Sequence, residues 1–191
     1  MKSMNIYMAG VGGQGIGLLS DVLARACVQA GYSIRGCDTH GLAQRGGVVV
    51  SHLRIGTELF GPRVPPKKAD LVVGLERMEA LRATRTMLKP GGTVVYYETT
   101  YQPIPVRTKH SEYPGYDELV SAVQELNGTL EQVQISELPD PRMQNVALIG
   151  RIAGLKAIED VTTDIFEQAI VNAVPPKVKD ANMAVFKEAA Q

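Results

Sequence analysis

The chain has 191 residues, 45% hydrophobic and 21% charged, with 20 basic against 20 acidic side chains. This is the composition of one globular domain, residues 1–191, long enough to bury a real core. The even charge balance excludes a general nucleic-acid or membrane-surface binder. No apolar run approaches a membrane span and no leader pattern follows Lys2, so a cytoplasmic location is expected.

Residues 4–9 read as a buried strand that runs into Gly-Val-Gly-Gly-Gln-Gly-Ile-Gly at 10–17. Residues 16–30 read as a helix, with Ile16, Leu19, Leu23, Cys27 and Ala30 on one stripe and Gly31 at its end. Tyr32 to Asp38 reads as a second strand, which makes a βαβ unit with the first. A polar loop, His40 to Gly47, leads to a strand over Val48 to Ile55. Its alternation puts Ser51, Leu53 and Ile55 on one face and Val50, His52 and Arg54 on the other. Gly56-Thr57 reads as a hairpin turn into Leu59-Phe60, an insertion near 48–62 closed by Pro62, Pro65 and Pro66.

Ala69 to Leu75 reads as a strand, Glu76 to Lys89 as a helix stopped by Pro90-Gly91-Gly92, and Thr93 to Tyr97 as a strand, a second βαβ-like unit. Tyr101 to Gly115 reads as a proline-bearing loop. Residues 116–126 read as a helix, 130–135 as a strand, and Gln144 to Ile158 as a helix rich in small residues. Thr162 or Thr163 can cap a helix to about Ala173, and 179–190 reads as a terminal helix. The expected class is α/β: a Rossmann-like, mostly parallel sheet flanked by helices, with the hairpin insertion.

Gly10-x-Gly12-x-x-Gly15 matches the dinucleotide fingerprint, and Asp38 lies 23 residues beyond Gly15, where a ribose-binding acid would sit. That makes an NAD(P)-dependent oxidoreductase one reading. Gly13 and the Gly15-Ile16-Gly17 tail depart from the usual helix start, so another phosphate-bearing ligand and a tight structural turn stay open. Arg45, flanked by glycine, can offer a guanidinium to a carboxylate or phosphate. His40 is a candidate proton carrier, weighed against a cap on the strand end. His52 and Arg54 read as a solvated or interface-facing strand face. Cys27 reads as a small buried hydrophobe, and nothing activates Cys37. Asn145 reads as a helix start and Asn182 as a polar contact of the terminal helix. The two cysteines form no metal-ligand cluster, and no catalytic residue set is legible, which suits one part of a larger enzyme, or a non-catalytic α/β scaffold subunit.

Several segments together carry a resemblance. They are Gly-Val-Gly-Gly-Gln-Gly at 10–15, Thr-His-Gly-Leu-Ala-Gln-Arg-Gly-Gly at 39–47, Ser-His-Leu-Arg-Ile-Gly at 51–56, Ala-Asp-Leu-Val-Val-Gly-Leu-Glu at 69–76, Leu-Lys-Pro-Gly-Gly at 88–92 and the stretch from Asn145 to Gly154. In order along nearly the whole chain, they resemble the gamma-type domain of the 2-oxoacid:ferredoxin oxidoreductases. The form His-Gly-x-Ala-Gln-Arg-Gly-Gly is closest to the beta subunits of the indolepyruvate type.

The resemblance implies a complex that oxidatively decarboxylates a 2-oxoacid with coenzyme A to acyl-CoA and carbon dioxide, with electrons passing to ferredoxin. It implies that thiamine diphosphate and iron–sulfur clusters reside on large partner subunits, and that this chain alone is inactive. The missing cysteine clusters and the missing thiamine signature fit that division. By the same resemblance, Gly10, Gly12, Gly13, Gln14, Gly15, Arg45 and Gly46 are the candidate contacts to coenzyme A; no metal ligand and no catalytic residue is expected on this chain.

Overall fold

A computed structural model of the chain describes residues 3–39, 47–57, 59–100, 106, 108 and 112–191. The strands are β1 (Met4–Val11), β2 (Ile34–Thr39), β3 (Val48–Ile55), β4 (Ala69–Gly74), β5 (Leu88–Tyr97) and β6 (Thr129–Val133). The helices are α1 (Ile16–Gln29), α2 (Arg77–Thr86), α3 (Tyr116–Gln124), α4 (Gln144–Gly154), α5 (Thr163–Ala173) and α6 (Lys179–Ala189), with short 3-10 turns at Pro141–Met143 and Pro176–Val178.

The strands form one sheet in the order β2-β3-β1-β4-β5-β6. From β1 to β6 the neighbours are parallel, whereas β3 runs antiparallel to both β1 and β2. The central strands read as near-continuous apolar runs because both of their faces are covered. On one face α1, α4, α5 and α6 enclose the larger core, which includes Ile6, Met8, Leu19, Leu71 and Phe166. On the other, α2 and α3 close a smaller core around Val72, Val94, Leu81 and Leu119.

The expected βαβ unit at the N-terminus takes a different form. β2 does not pair with β1; β3 lies between them, with Ser51 opposite Met8 on one side and Asp38 on the other. The antiparallel strand is therefore where the alternation put it, but its hairpin partner is β2, and Leu59-Phe60 form no strand. The β4-α2-β5 unit is parallel, as expected.

Pro90-Gly91-Gly92 does not stop α2, which ends at Thr86. It lies inside β5 at a register shift against β4, where Gly91 has φ +72°. The small residues of α4 let α6 approach: a Cβ on Gly150 or Gly154 would strike the carbonyls of Phe186 or Ala190. Asn182 donates to the Val178 carbonyl at 2.7 Å within this packing. Among the described residues no helix is long and apolar enough to cross a membrane.

Candidate functional site

The chain leaves β1 toward α1 on one face of the sheet and leaves β4 toward α2 on the other. The carboxyl ends of these two adjacent parallel strands therefore form a topological switch point, where open α/β sheets bind ligands. The glycine loop lies there. Gly10 sits where β1 passes Leu75, and a Cβ on it would come within 2.6 Å of the Leu75 Cδ1. Gly12 N–H donates to the Gly47 carbonyl at 2.8 Å, so the structure brings the glycine loop beside the end of the loop that precedes β3. Arg45, Gly46 and His40 lie outside the described residues.

Gly13 and Gly15 hold φ +104° and +80°, conformations that side chains resist. Gly15 is the N-cap of α1. Gln14 points inward: its Oε1 accepts from Val11 N–H at 2.7 Å, and its Nε2 donates to the Leu75 carbonyl at 3.0 Å. It is only 4% exposed, so its side chain braces β1 against the exit of β4.

Asn145, at the start of α4, completes the brace. Its Nδ2 donates to the carbonyls of Gln14 at 2.9 Å and Gly15 at 3.1 Å. Its Oδ1 is buried with no hydrogen-bond partner, the one such atom among the described side chains. Sequence reading saw Asn145 only as a helix start. The available signal was an amide inside a run of otherwise apolar and small residues, and its partner lies 130 residues away in the chain.

The two helices at the switch point differ in one respect. Glu76, fully buried, accepts from Met78 N–H at 3.0 Å and from Glu79 N–H, so its carboxyl group covers the N-terminus of α2. Burial raises its pKa, although the Tyr113 hydroxyl and both amides oppose that rise. Tyr113 donates to Glu76 at 2.5 Å. α1 has no side-chain cap and no acid in its first turn. Its partial positive end is therefore open to an external anion. Gly17, in that first turn, is exposed and would meet nothing within 4 Å if it carried a Cβ. No contact among the described residues explains why a helix gives up about 1 kcal/mol of propensity there. A groove of about 310 Å³ continues from Gly17 along α1 and β2, past Ser20, Cys37 and Asp38.

Asp38 does not take the place of a ribose-binding acid. β3 separates its strand from β1, and its carboxylate accepts from Ser51 and, at 3.2 Å, from Ser20. His52 also departs from expectation: it is 5% exposed, meets Tyr7 edge-on at 5.0 Å between ring centres and accepts from Val64 N–H at 3.1 Å. Burial lowers its pKa, and nearby Arg63 adds to the effect. Cys27 is buried on α1 as expected, its thiol pushed up to about 12 by desolvation. No group of three or more potential metal ligands converges among the described residues.

Fold and site define an α/β domain whose glycine loop opens one helix N-terminus at a switch point. The chain belongs to the pyruvate ferredoxin/flavodoxin oxidoreductase family, which it matches over residues 5–191. It is 35% identical over 192 residues to indolepyruvate oxidoreductase subunit IorB of Pyrococcus horikoshii, a match spanning 97% of this chain and 94% of that protein. The keto/oxoacid ferredoxin oxidoreductase gamma subunit of Geobacter sulfurreducens shares the fold at 17% identity, with TM-score 0.66 over 98% of this chain and 96% of that one. So does a 2-oxoglutarate:ferredoxin oxidoreductase from Magnetococcus marinus, solved with 2-oxoglutarate, coenzyme A and succinyl-CoA bound, at 18% identity and TM-score 0.68; there the likeness spans 99% of this chain but 30% of that one. The chain is thus a subunit-type member of the 2-oxoacid:ferredoxin oxidoreductases.

Proposed function

We propose that residues 1–191 act as one gamma-type domain, the non-thiamine subunit of a cytoplasmic, indolepyruvate-type 2-oxoacid:ferredoxin oxidoreductase, and that its glycine loop faces the coenzyme A end of the shared site. The complex converts an arylpyruvate, coenzyme A and two oxidised ferredoxins to an acyl-CoA, carbon dioxide, two reduced ferredoxins and a proton. Thiamine diphosphate and the iron–sulfur clusters belong to the large partner subunit. The 35% identity to an indolepyruvate oxidoreductase subunit over almost the full length of both chains supports the substrate class.

The observation that carries the site assignment is the uncapped, acid-free N-terminus of α1, next to an α2 that caps itself with Glu76. Coenzyme A, when bound, brings phosphates and a thiol that takes the acyl group; the residues here fit its phosphates. With Gln14 N–H used by the Val11 carbonyl, the other main-chain N–H groups from Gly13 to Gly17 can serve as donors, and the bare Cα atoms of Gly13 and Gly17 allow close approach. Gln14 and Asn145 keep that loop fixed from behind. Arg45, in the loop that ends at Gly47 beside Gly12, would add its charge to this site, and Gly46 a further main-chain N–H.

Gly17→Glu separates binding from folding. A glutamate in the first turn favours the helix, and its Cβ would meet no described atom within 4 Å, while its charge opposes a phosphate. The assembled enzyme should show a KM for coenzyme A raised about tenfold or more, a shift of about 1.4 kcal/mol, with the KM for the 2-oxoacid unchanged. An unaltered KM for coenzyme A would remove the loop from that role.

A further inference from the structure

On the α2 side of the sheet, α2 and α3 cover β4, β5 and β6, while among the described residues β3 is crossed by the connector after it. That connector is tied down at two points. The Arg54 guanidinium donates to the Gly61 carbonyl at 2.9 Å, and Val64 N–H donates to His52. Between β3 and these ties stands Phe60, 97% exposed. A large aromatic ring fixed in water by its own flanking backbone does nothing for the fold of this chain. Aromatic residues are enriched at protein interfaces relative to the rest of the surface.

The charges around it point to the partner's chemistry. Arg35 and Arg54 lie directly opposite each other on β2 and β3, a like-charge cross-strand pair that opposes pairing. Arg54 is held by the Asn5 carboxamide at 2.9 Å and by Gly61, both neutral, and among the described residues Arg35 donates to its neighbour's carbonyl. Lys68, whose carbonyl accepts from Asn5 at 3.0 Å, continues the same row, and Arg63 and Lys67 are exposed on the connector. None of these five cations has a carboxylate partner among the described residues, whereas the basic residues of α2, β5 and α4 are paired. Asp70, which shares Asn5 with this row, is already engaged by Lys89 and by Asn5 N–H.

We propose that Phe60, set beside the Arg35–Arg54 pair, is the anchor by which this chain docks on its large partner subunit, entering an apolar pocket rimmed by carboxylates. The inference rests on the reading of the chain as one subunit of a complex. A carboxylate-rimmed pocket would bury the ring and relieve the repulsion between the two arginines in one contact, and docking should weaken as salt rises.

The test is a binding titration of the purified chain against the co-encoded large subunit. Phe60→Ala should weaken binding about 30-fold and Arg35→Glu about tenfold, while Arg35→Lys retains it. Phe60→Ala and Arg35→Lys should keep the wild-type Tm, and Arg35→Glu should match or exceed it because it replaces a like-charge cross-strand pair with an opposite-charge one, so weaker binding is not a folding defect. If the wild-type chain binds no large subunit, the subunit reading itself falls. If it binds, and Phe60→Ala stays within threefold of wild type, only the docking surface is overturned. Self-association of the chain that Phe60→Ala abolishes would give the surface to a second copy and overturn it equally.

Discussion

Gln14 and Asn145 show how two amides can hold a loop that glycine alone would leave loose. Each reaches main-chain groups from inside the fold, and together they fix the turn from Val11 to Gly15 without using the outer face. Gly15→Ala should destabilise the chain by about 2 kcal/mol, since it adds a side chain at positive φ and drives a methyl group within 2.7 Å of the Asn145 Nδ2; urea unfolding would measure it. Glu79 gives a second prediction. Its side chain is 2% exposed and pairs with Arg82 at 2.6 Å, yet desolvation, with Glu76 adding to it, raises its pKa to about 7. The folded state then binds more protons than the unfolded state between about pH 4.5 and 7, so stability falls as pH rises through that window and levels off above it. The same sign holds for Glu76. Glu79→Gln should flatten the decline, seen as a smaller drop in Tm between pH 5 and 7.5. At this scale the sequence disclosed types and not partners. Glycines at 13 and 15 announced unusual backbone, but no local pattern told whether Gln14 points in or out, or that residue 145 supports residue 15.

Elements were more legible than their neighbours. Hydrophobic periodicity located each of α1 to α6 to within a few residues, because the 3.6-residue stripe is a local property. Strand pairing is not local. The segment Tyr32 to Asp38 reads as a strand whether it joins β1 or β3, and the sheet chose β3 because Ser51, Leu53 and Ile55 complete the α1-side core while β2 supplies the outer edge. Pro90-Gly91-Gly92 misled for a related reason: a Pro-Gly-Gly run can stop a helix or make an irregular strand, and the choice rests on β4, where Ala69 pairs with Leu88 and Leu71 with Thr93. The small residues of α4 were read correctly as a close approach, and α6 is what approaches. Gly154→Val should therefore force these helices apart and cost about 3 kcal/mol, detected as a lower Tm without change in the α1 half of the molecule.

For the molecule as a whole, the position of β3 decides between nucleotide enzyme and subunit. With Asp38 removed by one strand from the glycine loop and bound to Ser20 and Ser51, the acid of a dinucleotide site is missing. Saturating NAD(H) or NADP(H) should leave the Tm of the isolated chain unchanged, whereas a true ligand at a hundred times its Kd would add about 2.7 kcal/mol. The candidate ligand edge, by contrast, depends on what the rest of the complex brings to an open helix end, and so its chemistry was visible in the sequence only through the resemblance of whole motifs.

The insertion of β3 also sets an order of assembly. β2 touches the sheet only through β3, and β3 only through β1 on its other side. During folding, β2 has no edge to join until a strand that follows it in the chain has already docked. As the edge strand, held in the sheet through β3 alone, β2 with Arg35 should be the first part of the sheet to open. Amide hydrogens of Ile34–Thr39 should exchange at a lower opening free energy than those of β1 and β4, a graded pattern that hydrogen exchange under native conditions would resolve.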